Sequence, residues 1–213
     1  MSRSRLEAFS DGVFAVAITL LALNLAVTGP GHGSLAHQLA NRWPAFAAYA
    51  VSFATIGIIW VNHHGVFRSF AAIDRVLVFL NLLLLFFVVL IPFATTTLAD
   101  FLRGGGSDAH LAAAIYALVL ELMSVAFFLV FWYPIRHGLL EHPLPPESER
   151  TAVVRFCFGL LGYAVAIGLA FVSATVTLVL SGLLAVYYLV DQTPEASRTT
   201  AVPDGAASDR ASP

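Results

Sequence analysis

The chain contains no lysine; all eleven of its basic side chains are arginine. Together with abundant alanine, this composition points toward a GC-rich bacterial genome, on compositional evidence alone. Charged residues make up only 11% of the 213 positions, against roughly 25% in a soluble domain, so water is not the main solvent of the chain. The net charge of -2 offers no surface for nucleic acid. A single cysteine, Cys157, excludes an intrachain disulfide, and its apolar neighbours make it a small core hydrophobe rather than a reactive thiol. Enzyme signatures are missing too: there is no phosphate-binding glycine loop, no His-Glu-x-x-His and no Gly-x-Ser-x-Gly. Gly104 to Gly106 lies between apolar runs and reads as a turn. No internal repeat is visible, and nothing calls for a cofactor.

What the chain has instead is apolar length. Hydrophobic residues account for 59% of it, and they gather into runs of the length that crosses a bilayer as a helix, about 17 to 25 residues. Six such runs are predicted, at 9 to 28, 45 to 67, 75 to 99, 110 to 133, 153 to 171 and 174 to 190. The fold class is therefore an all-α membrane protein with six transmembrane helices. Only Val172 and Ser173 separate the last two runs, which form either a tight hairpin or one long kinked element. The first run is too long for a signal-peptide core and opens on Ser10 and Asp11, so it reads as a permanent span. Seven arginines (3, 5, 68, 75, 136, 150 and 155) fall on one side of this topology and two (42 and 103) on the other. The positive-inside bias then puts both termini in the cytoplasm. The connections, Gly29 to Pro44, Arg103 to Ser107 and His137 to Arg150, are too short for a soluble enzyme domain. Residues 1 to 191 form the membrane domain. Residues 192 to 213, rich in Ala, Ser, Thr, Pro and Asp, read as a disordered tail, since they cannot bury enough apolar surface to offset their ordering entropy.

Asp11 stands immediately before seventeen almost entirely nonpolar residues, Gly12 to Thr28. A carboxylate there needs partners and marks a functional site by default. Arg5, Phe9, Ser10 and Asp11 spell Arg-x-x-x-Phe-Ser-Asp. That element resembles the signature opening the first membrane helix of the transmembrane protein 175 potassium channels. The likeness extends over roughly residues 3 to 190; it is most specific at Arg5 to Asp11, and only general over the last three spans. It implies passive cation permeation through a homotetramer of six-helix subunits in the bacterial inner membrane, with the first helices around the axis.

At about 100° per residue, Phe9, Val13, Val16, Leu20, Leu23 and Val27 share one stripe of the first helix, with small Gly12, Ala15, Thr19, Ala22 and Ala26 beside it. From the residues alone, an aliphatic stripe faces lipid or another helix. The resemblance implies another use: bulky aliphatic residues five, nine and twelve positions after the motif aspartate form the narrowest layers of the ion path. Those positions are Val16, Leu20 and Leu23, and Thr19 would supply a polar layer among them. Such a constriction gates by dewetting. Val16 departs from the isoleucine common at the narrowest layer, which makes potassium preference less secure than cation permeation, so other monovalent cations and protons remain candidate permeants. The chain has no Thr-Val-Gly-Tyr-Gly filter and no arginine ladder of a voltage sensor.

Trp60, His63 and His64 form the next constellation. Adjacent histidines point about 100° apart on a helix, unsuited to joint metal ligation, so no metal is expected. They read as an interfacial anchor with solvated histidines. The resemblance instead implies a cluster in which Trp60, His63 and His64 hold Ser10 and Asp11, while Arg5 braces Phe9 or a carbonyl. Ser10 or Asp11 could equally be a helix N-cap. Glu121 lies within the fourth run and should be neutral unless paired. It reads as interhelical glue or as a proton relay, with Asn24, Asn81 and Tyr116 as candidate partners. The reading that follows is a potassium-preferring cation channel. The alternative is a proton-coupled secondary transporter using Asp11, His63, His64 and Glu121.

Overall fold

The structure, a computed structural model, describes residues 2–27 and 29–190. The side chain of Asn24 and the expected tail at 192 to 213 lie outside the described residues. Among the described residues seven α-helices follow one another: α1 Arg3–Ala22, α2 Leu35–Asn41, α3 Trp43–Arg68, α4 Arg75–Phe101, α5 Gly106–Arg136, α6 Pro146–Ala170 and α7 Ala174–Val190. Six coincide with the six apolar runs, and α2 is an addition. By length and hydropathy, α3, α4, α5 and α6 each suffice to cross a membrane, while α7 is a shorter apolar helix. α1 carries its charges in its first turns.

α1 begins six residues before the apolar run, and its cap position is Ser2, in extended backbone. Ser10 and Asp11 are consequently in the interior of the helix, and neither is an N-cap. The other end also departs from the single span of 9 to 28. The α-helix stops at Ala22, and Leu23–Leu25 form one turn of 3-10 helix. Of the aliphatic stripe, Leu23 thus sits on a tighter screw than Val16 and Leu20.

The connection from Gly29 to Pro44 contains α2. Ser34 caps it by accepting the His37 N–H at 3.3 Å. The buried Gln38 side chain ties the glycine turn down, donating to the carbonyls of Gly29 at 2.9 Å and Gly33 at 3.1 Å. Asp74 caps α4 by accepting the Leu77 N–H at 2.8 Å. Pro92 is buried inside α4 without ending it. Between α6 and α7 the chain turns at Phe171 to Ser173, so the two runs form the tight hairpin. Gly159 and Gly162 let these helices close, a side chain at either position meeting Tyr188 or Leu184.

α4 packs most extensively on α5, and α6 and α7 complete that side; α1 packs on α3 and α4. The core runs through Phe14, Phe67, Ile91, Tyr116 and Leu120. At its centre, the Ser52 hydroxyl links the hydroxyls of Thr95 at 2.7 Å and Tyr116 at 3.0 Å, joining α3, α4 and α5. At the end of the bundle where α1 begins, a β-bridge between Phe70 and Leu140 joins the α3–α4 and α5–α6 links.

Candidate functional site: the first helix and its brace

α1 buries Leu6, Ser10, Phe14, Ala17 and Leu21, spaced 4, 4, 3 and 4, against α3 and α4. Apart from Val13, which is partly buried against the core, the opposite face has no cover among the described residues of the subunit. Phe9 is 50% exposed, Val16 56%, Leu20 38% and Leu23 71%. The small stripe of Gly12, Ala15, Thr19, Ala22 and Ala26 is exposed beside them, so it provides no close packing inside the subunit. Thr19 donates its hydroxyl proton to the Val16 carbonyl at 2.8 Å, which leaves its oxygen as an acceptor on this face.

A directed chain of hydrogen bonds fixes the buried face. The Ser10 hydroxyl donates to the Leu6 carbonyl at 2.9 Å, and accepts from the Asn81 amide nitrogen at 3.0 Å. With that nitrogen committed to Ser10, the Asn81 oxygen is the atom 2.8 Å from His63 Nε2. Nε2 therefore carries the proton and donates, a tautomer inferred from the network. His63 is held sideways by rings, stacked on Phe67 at 4.1 Å and edge-on to Phe14 at 5.4 Å. Ser10, His63 and Asn81 are all buried. Separately, the Trp60 indole N–H donates to Asp11 Oδ1 at 2.9 Å in a more exposed position. Two attachments thus lock the rotation of α1: a buried one through α4 and a rim one from α3.

Several expected contacts differ in detail. His63 reaches Ser10 through Asn81 rather than directly, and Asn81, named from the sequence as a partner of Glu121, is the residue that sequence reasoning missed. Its signal was only a single amide in an apolar run. His64 is half-buried and makes no hydrogen bond among the described residues. Arg5 is exposed and makes none either. The brace within the subunit comes from Arg3, whose guanidinium donates to the Phe70 carbonyl and to Glu141 Oε1, both at 2.9 Å. Arg3 thereby ties the start of α1 to the bridged links. Asp74 anchors the same side: the Tyr133 hydroxyl at 2.6 Å and the Leu77 N–H hold its carboxyl below the ordinary carboxylate range. Glu121 stands apart from all of this. Tyr116 is engaged with Ser52, and Asn81 with His63 and Ser10. Glu121 Oε2 is buried without a hydrogen-bond partner.

The fold and this brace define a class: six-span helical membrane proteins in which a polar network orients the first helix and leaves its other side uncovered. Residues 5–92 match the family described as Endosomal/lysosomal potassium channel TMEM175. A potassium channel of Streptomyces collinus is 49% identical over 93% of this chain and 97% of its own length. One of Chamaesiphon minutus is 35% identical over 86% and 92%. The crystal structure of a lysosomal potassium-selective channel TMEM175 homolog from Chamaesiphon minutus superimposes with a TM-score of 0.75, at 34% identity, over 88% of this chain and 96% of that one. The chain belongs to the TMEM175 family, a family of ion channels rather than enzymes.

Proposed function

We propose that the protein is a potassium-preferring cation channel in which four copies of α1 surround the ion path, with Val16, Leu20 and Leu23 as its hydrophobic constriction. The observation that carries the reading is the division of α1 into a hydrogen-bonded face locked onto α3 and α4 and a bare aliphatic face turned away from them. A subunit that fixes the rotation of one helix this firmly, yet covers only one of its sides, is built to meet copies of itself. The relatives' names, potassium channel in both bacterial cases, support the choice of ion. Rings of aliphatic side chains expel water and close the path until they dilate. Thr19 adds an acceptor layer between them, and permeation is passive, without a cofactor.

Arg5, Phe9, Ser10, Asp11, Trp60, His63 and His64 serve the pore by positioning α1 rather than by touching ions. In the assembly, Arg5 and Phe9 extend the exposed face toward the neighbouring copies. The channel sits in a bacterial inner membrane with both termini in the cytoplasm. A proton-coupled transporter would need a relay from Asp11 through the histidines to Glu121. Among the described residues, no hydrogen bond joins Glu121 to that network, which supports the channel reading over the transporter.

The bi-ionic reversal potential of purified protein in a planar bilayer tests the reading. A reversal that follows the potassium gradient, unmoved by a pH gradient, is expected. A current that requires the pH gradient would return the transporter reading.

A further inference from the structure

Glu121 is the sixteenth of the thirty-one residues of α5, about 22 Å from either end at 1.5 Å per residue, which is the middle of a bilayer core about 30 Å thick. Its Oε2 is the one buried side-chain polar atom among the described residues without a hydrogen-bond partner. Orphans of this kind are rare in native folds. The residue as a whole is only half-buried, and its neighbours Leu118 and Leu122 are exposed on the outer wall of α5. The carboxyl therefore sits on the border between the sealed interior and the apolar surface. The titratable groups on that side are tyrosines: Tyr163 of α6 is close enough to feel Glu121, and Tyr116 of α5 and Tyr188 of α7 surround Tyr163. None is a cation, and no arginine or histidine acts on Glu121 among the described residues. A carboxylate without a cation or a donor at this depth is too costly to keep.

We propose that Glu121 is a proton-binding site in the lipid-facing wall of the subunit, separate from the ion path and open to lipid-soluble carboxyl reagents. The bound ligand is a proton, and the chemical class that recognises such a site is the hydrophobic carbodiimide. In the reaction the acid proton moves to one carbodiimide nitrogen. The carboxyl oxygen attacks the central carbon, and one C=N double bond becomes single. The resulting O-acylisourea rearranges by oxygen-to-nitrogen acyl transfer to a stable N-acylurea, with no other reactant. That the outer wall of α5 meets lipid rests on the pore reading above, because α1 packs on α3 and α4 while α5 packs on α4, α6 and α7, a layer further from α1. The protonation itself does not rest on it.

The test is peptide mapping of the full chain, reconstituted in vesicles and treated with dicyclohexylcarbodiimide or with a water-soluble cationic carbodiimide, while current is recorded from the same preparation. The lipid-soluble reagent should modify Glu121 at least about tenfold more than the cationic one, since a cation is excluded from the bilayer centre. Modification should fall as the pH is raised and the acid ionises. Glu121→Gln should lose the adduct; mapping of the wild-type chain assigns the site even if that variant folds poorly. No adduct at Glu121, an equal yield with both reagents, or a yield indifferent to pH would overturn the proposal. The recorded current distinguishes the two failures: a potassium-following reversal without an adduct sinks this proposal alone, whereas an adduct without such a current sinks the pore reading alone.

Discussion

Asn81→Ala is the most informative single change in the brace, because one amide both donates to Ser10 and accepts from His63. Its removal deletes two buried bonds of unequal consequence. Ser10 keeps its bond to the Leu6 carbonyl, so its hydroxyl loses only an incoming donor. His63 loses the acceptor for its Nε2–H in a pocket closed by Phe14 and Phe67. Interhelical polar bonds in membrane proteins average about 0.6 kcal/mol each, which gives roughly 1 kcal/mol for the two. A buried donor left without a partner costs about 1–3 kcal/mol, and this second effect dominates. Asn81→Ala should therefore destabilise the subunit by about 2–4 kcal/mol, and Ser10→Ala, which strands the buried Asn81 amide donor in its turn, by about 1–3 kcal/mol. The assay is reversible unfolding in mixed micelles, with the double variant closing a cycle. Since Ser10 and Asn81 share one bond, the losses should be sub-additive. A loss below about 0.5 kcal/mol for Asn81→Ala, the scale of an ordinary surface change, or strict additivity with Ser10→Ala, would refute the idea that this chain locks α1.

Asp11→Ala removes the more exposed attachment to Trp60; about 0.5–1.5 kcal/mol of stability should go while the potassium-to-sodium reversal potential stays put, and a large selectivity change at wild-type stability would instead put the carboxylate in the ion path. Asp74 has a folded pKa below its unfolded value because Tyr133 and the Leu77 N–H hold the charged form. Its contribution is present above the ordinary carboxylate value of about 3.9 and is lost as the pH falls through the depressed folded value. Asp74→Asn should accordingly be less stable than wild type at neutral pH, with the gap closing only in acid below that value; a gap independent of pH in denaturation curves would contradict the assignment. Gly159→Ala drives a methyl group into Tyr188 at the α6–α7 contact, and overpacking of this kind costs about 1–3 kcal/mol, seen as a lower thermal midpoint that Tyr188→Phe should partly restore.

The six spans were legible because soluble folds seldom carry apolar runs of bilayer length, and the turn at Phe171 to Ser173 could be located from two residues. α2 was not, since seven residues in a glycine-rich link carry no usable period; its one signal was Ser34 three residues before His37. The break at Leu23 has no proline or glycine to announce it, only Asn24 in an otherwise apolar stretch. At the site, the Trp60 indole N–H donates to Asp11 of the Phe-Ser-Asp element, but the partner of Ser10 did not follow from any spacing. Asn81 lies seventy-one positions away and becomes its neighbour only because α4 packs on α1. Arg3 and Arg5 differ by two residues and hence by about 200° around a helix. Which of them meets the Phe70 carbonyl depends on where the α3–α4 link lies, a tertiary fact. The buried period of α1, at 6, 10, 14, 17 and 21, was present in the sequence, yet it could not be told from the exposed one because both faces are apolar.

The central claim, that the uncovered face of α1 lines the ion path, is tested most directly by cysteine accessibility along that helix. Cys157, the single cysteine, is exposed rather than the core residue its apolar neighbours led one to expect, and is first replaced by alanine. Cysteines at Val16, Leu20 and Leu23 should then be modified by a small cationic thiol reagent, and each modification should block potassium current. Cysteines at Ala17 and Leu21, which face α3 and α4 and are buried, should leave the current unchanged. Equal block in both sets, or block in neither, would contradict the account.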